Sequence, residues 1–185
     1  MIPLIDFGLE HKFAHIDGSV RITDDMVIEG YASYFGQTDQ GNDIVTPGAF
    51  RASLDRLALA DRSVKMLWQH DPAQPIGVWD EVREDTQGLF VKGRLLPDVA
   101  KSKEAATLLG AGAIDGLSIG YRTVKAAKNS EGQRLLTELD LWEVSLVTFP
   151  MLPEARVGAK GDAPVDTLMR EIADAFSDAR SMLAR

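Results

Sequence analysis

Residues 116–124 read Gly-Leu-Ser-Ile-Gly-Tyr-Arg-Thr-Val. The first five match the G-x-S-x-G elbow, in which a serine stands on a tight turn that opens a helix. Here the aromatic and β-branched residues that follow Ser118 predict that the chain continues as a strand. The α/β-hydrolase fold also places its histidine after the serine, and no histidine follows Ser118 in this chain. The pattern therefore predicts a strand that carries a serine, and it excludes the α/β-hydrolase fold.

Strand-like and helix-like segments alternate with turn signals on both sides of Ser118. The sequence predicts a helix from about residue 47 to 60, with Thr46 as N-cap, and another from 98 to 109. The predicted strands cover residues 9–16, 26–35, 64–68, 76–84, 88–96, 116–126 and 134–149. Many strands with two inserted helices predict an α+β fold, built as a β-rich barrel or sandwich.

The composition changes near the C-terminal end of the chain. Residues 150–164 are rich in Pro, Gly, Ala and charge, which is typical of a linker. Apolar residues then recur at three- and four-residue spacing from 165 to 183, which predicts an amphipathic helix. We expect a main domain over residues 1–157, and a linker and C-terminal helix over 158–185. The helix either packs on the domain or pairs with a partner, and both possibilities stay open.

Composition excludes several classes of site. The 185 residues include no cysteine and three histidines, so thiolate metal sites and cysteine nucleophiles are excluded. The formal net charge of −8 argues against nucleic acid as the main partner. No run approaches the roughly 18 apolar residues of a membrane span, and the first residues lack a secretory signal. We expect a cytoplasmic protein that needs no metal and no cofactor.

Two residues could assist a serine nucleophile. His70 ends a predicted strand just before Asp71-Pro72, and an imidazole is the usual base for a serine hydroxyl. The alternative is a surface histidine at a turn. Glu143 lies on the apolar side of a predicted strand, where a carboxylate needs a partner, as a catalytic acid or a structural ion pair. His11 and His15 are spaced wrongly for a shared metal on a strand, so both are predicted to be structural or exposed.

Six short segments of the chain, taken together and in their order along the sequence, are similar to segments of one protein family. The chain resembles the prohead maturation proteases of HK97-type tailed phages and of related prophage or gene-transfer-agent clusters. The likeness covers about residues 10–157. It rests on Glu29-Gly30-Tyr31-Ala32, Gly41-Asn42-Asp43-Ile44-Val45-Thr46-Pro47-Gly48-Ala49-Phe50, Leu67-Trp68-Gln69-His70-Asp71-Pro72 with Pro75-Ile76-Gly77, Gly88-Leu89, Gly116-Leu117-Ser118-Ile119-Gly120-Tyr121 and Glu143-Val144-Ser145-Leu146-Val147-Thr148-Phe149-Pro150.

The resemblance implies a serine endopeptidase with a β-barrel similar to that of the herpesvirus assemblins. It implies His70 as general base, Ser118 as nucleophile and Glu143 as the acid that orients the imidazole. Its implied partners are the major capsid protein and a scaffolding protein or scaffolding arm. Cleavage would take place inside the immature capsid, in the host bacterial cytoplasm. The resemblance also implies self-cleavage, and self-association is a further expectation.

Two other functions remain open. The chain could be a non-catalytic assembly module that binds scaffold through its C-terminal helix. It could also be an esterase that acts on small substrates, since the same serine chemistry would serve both.

Overall fold

The computed structural model describes residues 10–13, 21–22, 26–39 and 41–148. The predicted linker and C-terminal helix, the boundary at residue 157 and His15 lie outside these residues. The strands are β1 (Glu10–Phe13), β2 (Arg21–Ile22), β3 (Val27–Tyr34), β4 (Asp43–Val45), β5 (Lys65–Trp68), β6 (Asp71–Glu84), β7 (Gly88–Leu95), β8 (Gly116–Lys128) and β9 (Arg134–Val147). The helices are α1 (Arg51–Leu59) and α2 (Ala100–Gly110).

These strands form one curled sheet, a half-barrel, in the order β1-β8-β9-β5-β6-β7-β3-β2, with β4 paired to β9. Most neighbours are antiparallel, whereas β4 and β5 run parallel to β9. The predicted α+β class, with many strands and two helices, is confirmed. The G-x-S-x-G segment lies wholly within β8, as predicted, and no helix begins there.

The concave side of the sheet encloses the hydrophobic core. Its fully buried side chains come from strands, from α2 and from the segment before α1, and they include Ile28, Phe50, Leu89, Leu117 and Leu141. Burying one such side chain contributes about 1.5–3 kcal/mol relative to leaving it exposed. In the β8–β9 hairpin, the half of β8 that carries Ser118 contributes Leu117, Ile119 and Tyr121 to this core, whereas residues 124–128 are exposed.

The start of α1 differs from the prediction. The helix begins at Arg51 rather than near residue 47, and Thr46 is not its N-cap. The Thr46 hydroxyl instead donates to the carbonyl oxygen of Leu136, at 3.2 Å. Gly48 has a φ of +88°, outside the helical region, so residues 47–50 form turns before the helix can start. No sequence signal predicted β2 and β4, which have two and three residues.

The turn between β6 and β7 is organised by Asp85. Its carboxylate accepts hydrogen bonds from the Tyr31 hydroxyl at 2.7 Å and the Gln87 amide at 2.8 Å, and it pairs with Arg83 at 2.8 Å. Burial alone raises the pKa of Asp85. The hydrogen bonds from Tyr31, Gln87 and Arg83 outweigh that effect and lower its pKa to about 2.

We expect Asp85→Asn to lower the free energy of unfolding at neutral pH by roughly 1–2 kcal/mol, after allowance for solvent screening. The pKa of Asp85 in the folded state lies below that of an unfolded aspartate, about 3.9. The stabilisation is therefore present above about pH 4 and is lost as the pH falls towards 2. Urea unfolding between neutral pH and pH 2.5 measures the difference between variant and parent. A difference that stays constant over this range would contradict the prediction. The control is Asp55→Asn, on the exposed side of α1, for which we expect no such pH-dependent difference.

None of the helices among the described residues is long and apolar enough to cross a membrane.

Candidate active site

His70 lies in a two-residue turn between β5 and β6. Gln69 and His70 have φ values of +52° and +61°, as in a type I′ turn, which normally uses Asn-Gly. Neither residue is a glycine, so the turn is strained by roughly 1–2 kcal/mol per residue. Three contacts hold it: Gln69 Nε2 donates to Thr148 Oγ1 at 2.6 Å, Gln69 N to the Leu146 carbonyl at 3.0 Å, and His70 N to Ser145 Oγ at 3.1 Å. Strain that is held in this way is typical of functional sites.

The His70 imidazole meets the carboxylate of Glu143. Nδ1 of His70 lies 2.6 Å from Oε1 of Glu143, and Glu143 is only 4% exposed. A carboxylate oxygen accepts hydrogen bonds, so we assign the proton of this contact to Nδ1. In the neutral ring, Nε2 is then the nitrogen that can accept a proton. The arrangement is that of a general base held in one tautomer by an acid.

Ser118 lies on β8, the strand that pairs with the Glu143 strand β9. In the antiparallel β8–β9 pair, Ser118 stands directly opposite Ser145. Side chains of such partners lie on one face of the sheet, with Cβ atoms about 4.5–5.5 Å apart. Ser145 in turn contacts both the His70 backbone and the Glu143 carboxylate. The structure thus brings His70 and Glu143 into direct contact, and it places the fully buried Ser118 across the strand pair from Ser145, which contacts both.

Ser145 is a site residue that the sequence analysis did not identify. Its hydroxyl donates to Oε2 of Glu143 at 2.5 Å and accepts the amide hydrogen of His70. One hydroxyl therefore fixes both the carboxylate and the turn that carries the imidazole. A signal was present, because Ser145 lies two residues after Glu143 and residues two apart on a strand share a face.

Two other carboxylates of β9, those of Glu138 and Asp140, are partly buried and take part in ion pairs. Their side chains are only 20% and 25% exposed. Glu138 pairs with Lys125, and Asp140 accepts a hydrogen bond from Arg56 at 2.9 Å. Burial raises the pKa of Asp140, but hydrogen bonds from Arg56 and Trp142, together with nearby positive charge, lower it overall. Both carboxylates help to fasten α1 and the β8–β9 hairpin rather than to orient His70.

A cavity of about 420 Å³ opens beside the His70–Glu143 pair. Its lining combines apolar side chains, two positively charged ones and the carboxylates of Asp140 and Glu143, and it includes the half-exposed Trp142. Its lining includes Leu57, Arg62, Lys65, Leu67, Pro72 and Trp142. The cavity is large enough for one or two amino-acid side chains to lie beside His70.

Of the other two histidines, only His11 lies among the described residues. His11 lies in β1, where its backbone stands opposite Gly120, and the predicted position of His15 lies outside the described residues. Among residues 10–13, 21–22, 26–39 and 41–148, no three His, Asp or Glu residues are grouped so that they could hold a metal ion.

Comparison with known proteins gives three related results. The prohead protease of Enterobacteria phage HK97 is 34% identical over 136 residues, which are 72% of this chain and 59% of that protein. The chain therefore spans about three fifths of this relative's length. The solved structure of the bacteriophage T4 capsid assembly protease matches 77% of this chain and 98% of its own, with a TM-score of 0.61 and 16% identity, which indicates a shared fold. The sequence profile for the Caudovirus prohead serine protease matches residues 16–167, and the chain belongs to that family.

Proposed function

We propose that this protein is a serine endopeptidase in which Ser118 is the nucleophile, His70 the general base and Glu143 the orienting acid. The observation that carries the proposal is the 2.6 Å contact between His70 Nδ1 and Glu143 Oε1, beside a strand that presents Ser118. A buried carboxylate, a histidine that bears its proton on Nδ1 and a neighbouring serine are the parts of a hydrolytic triad. The family's description as serine proteases supports the same assignment.

The reaction follows from these roles. His70 Nε2 takes the proton of the Ser118 hydroxyl while Oγ attacks the peptide carbonyl carbon. Glu143 stabilises the imidazolium that forms, and the imidazolium then gives its proton to the leaving amine. Water attacks the resulting acyl-enzyme by the reverse route, with His70 again as base, and releases the new carboxyl end and free Ser118. The cavity beside His70 receives a side chain of the bound peptide.

Capsid proteins are the proposed substrates. The two relatives are named a prohead protease and a capsid assembly protease. By analogy, the chain cleaves a scaffolding protein or the scaffolding arm of the major capsid protein, inside the immature capsid in the host cytoplasm, and then cleaves itself. We further propose that the half-barrel belongs to an assemblin-like barrel over residues 1–157. The predicted linker at residues 150–164 is then the self-cleavage region, and the predicted C-terminal helix contacts scaffold or a second copy.

Co-expression with the cognate capsid and scaffolding proteins tests this function. We expect new N-termini, found by mass spectrometry, in capsid or scaffolding protein and in the chain itself. Incorporation of the chain into shells without any cleavage would overturn the proposal in favour of an assembly module. Rapid turnover of simple esters, with capsid and scaffolding proteins left intact, would instead indicate an esterase.

A further inference from the structure

Gly120 occupies a position that the triad assignment does not explain. It stands directly opposite Glu143 in the β8–β9 pair, and a glycine inside a strand costs stability because it adds backbone entropy to the unfolded chain. The φ of Gly120 is outside the left-handed region, so the backbone itself would permit a side chain. Some other contact must therefore explain why the position has no side chain.

The obstacle is the side chain of Glu143. A Cβ atom at position 120 would lie 2.8 Å from both Cγ and Cδ of Glu143, and closer still to Oε1. Oε1 is the oxygen that contacts His70 Nδ1. The glutamate thus reaches the imidazole by crossing the space directly above the Gly120 α-carbon. A methyl group there and the observed Glu143 conformation cannot coexist.

We propose that Gly120 is a positioning residue for the reaction. Because it has no side chain, the space that Glu143 must occupy to reach His70 stays open. The inference rests on the proposed function for its catalytic consequence, but the geometric claim stands on the Gly120–Glu143 contact alone. Glu143 is held at its far end by His70 and by Ser145 at 2.5 Å. A methyl group at position 120 would clash with the Glu143 side chain rather than with backbone atoms. Since a side chain can rotate, we expect the Glu143 carboxylate to move away from His70 while the backbone stays in place.

Gly88 provides the matched contrast. A Cβ atom there would lie 3.0 Å from the Ser33 carbonyl carbon and the Tyr34 α-carbon, and closer still to the Ser33 oxygen. These are backbone atoms of the paired strand β3, which cannot rotate away. Gly88→Ala should therefore lower thermal stability, whereas Gly120→Ala should leave the fold in place and act through Glu143.

The experiment compares Gly120→Ala, Glu143→Ala and the double variant in the full chain. NMR detects the far-downfield proton and the ring nitrogens of the short His70–Glu143 hydrogen bond. The labelling rate of Ser118 by a fluorophosphonate measures the reactivity of the nucleophile. We expect Gly120→Ala to remain folded, to lose the downfield signal and to label about 10²-fold more slowly, as a misplaced catalytic group does. In the Glu143→Ala background, adding Gly120→Ala should change the labelling rate by less than about threefold, since no carboxylate is left to displace.

A downfield proton that persists in Gly120→Ala would overturn the inference, as would additive rate losses in the double variant. Loss of the signal with an unchanged labelling rate would support the positioning of Glu143 and would overturn instead the catalytic role proposed for it. If Gly120→Ala fails to fold, refolding of the Gly120→Ala/Glu143→Ala double variant would support the side-chain conflict. A double variant that also stays unfolded would contradict it.

Discussion

Replacement of Ser118 by alanine is expected to abolish peptide cleavage, with a loss of about 10⁶-fold in rate, as when the nucleophile of a serine protease is removed. The oxygen that would form the acyl-enzyme is then missing, and neither His70 nor Glu143 can replace it. The fold should survive, because Ser118 is fully buried in a strand and alanine fits any site that serine fills. Processing of co-expressed capsid and scaffolding proteins, followed by mass spectrometry, measures the effect.

A serine-to-alanine change at Ser130 is the matched control. Ser130 is exposed in the turn between β8 and β9, at the opposite end of the hairpin from the site, and its replacement should leave processing unchanged. Fluorophosphonate labelling adds a test that needs no knowledge of the natural substrate. The label should attach to Ser118 in the parent protein and be absent from Ser118→Ala. Attachment to Ser145, or processing that continues in Ser118→Ala, would show that the nucleophile is wrongly assigned.

Glu143→Gln is expected to have the second largest effect, a loss of about 10⁴-fold in rate. The amide keeps the shape of the carboxylate but brings an N–H₂ group and loses the negative charge. It therefore neither fixes the proton on Nδ1 of His70 nor stabilises the imidazolium that forms during the reaction. The rates of peptide processing and of Ser118 labelling should fall together.

Glu138→Gln is the control on the same strand. Glu138 is also a partly covered carboxylate, but its ion pairs are with Lys125 and Arg56 rather than with a histidine. Its replacement should lower stability only slightly, because both cationic partners are exposed to solvent and such ion pairs contribute about 0–1 kcal/mol. The rate should stay within about twofold of the parent, because the partners of Glu138 are Lys125 and Arg56 rather than His70. The opposite result, a severe loss with Glu138→Gln and none with Glu143→Gln, would identify a different third member.

The sequence could predict most of the strands and both helices because their signals are local. Alternating and β-branched residues predicted β8 and β9, whereas the start of α1 was placed too early because Thr46-Pro47-Gly48 resembles a helix start. In the structure Thr46 bonds to Leu136, a residue 90 positions away, and no local pattern contains that contact. The short strands β2 and β4 likewise depend on partners distant in the chain.

The candidate site shows the same division. His70, Ser118 and Glu143 could be singled out from residue type, strand position and family likeness. The conformation of Gln69 and His70 could not, because a type I′ turn without glycine or asparagine leaves no trace in the sequence. The part played by Ser145 became visible only when the β5–β6 turn was found folded against β9. Tertiary contact, rather than propensity, fixes both features.

The three candidate catalytic residues lie at one end of the β8–β9 hairpin, and this affects how the protein can be engineered. Ser118 and Glu143 lie on β8 and β9, and His70 lies in the turn after β5, which pairs with β9. The hairpin turn at residues 129–133 lies about ten residues along β8 from Ser118, roughly 30 Å for an extended strand. A fluorescent protein or affinity tag inserted there would stand well away from the three candidate catalytic residues. Under the proposed function, a label in that turn would allow the copies of this chain in each assembling shell to be counted.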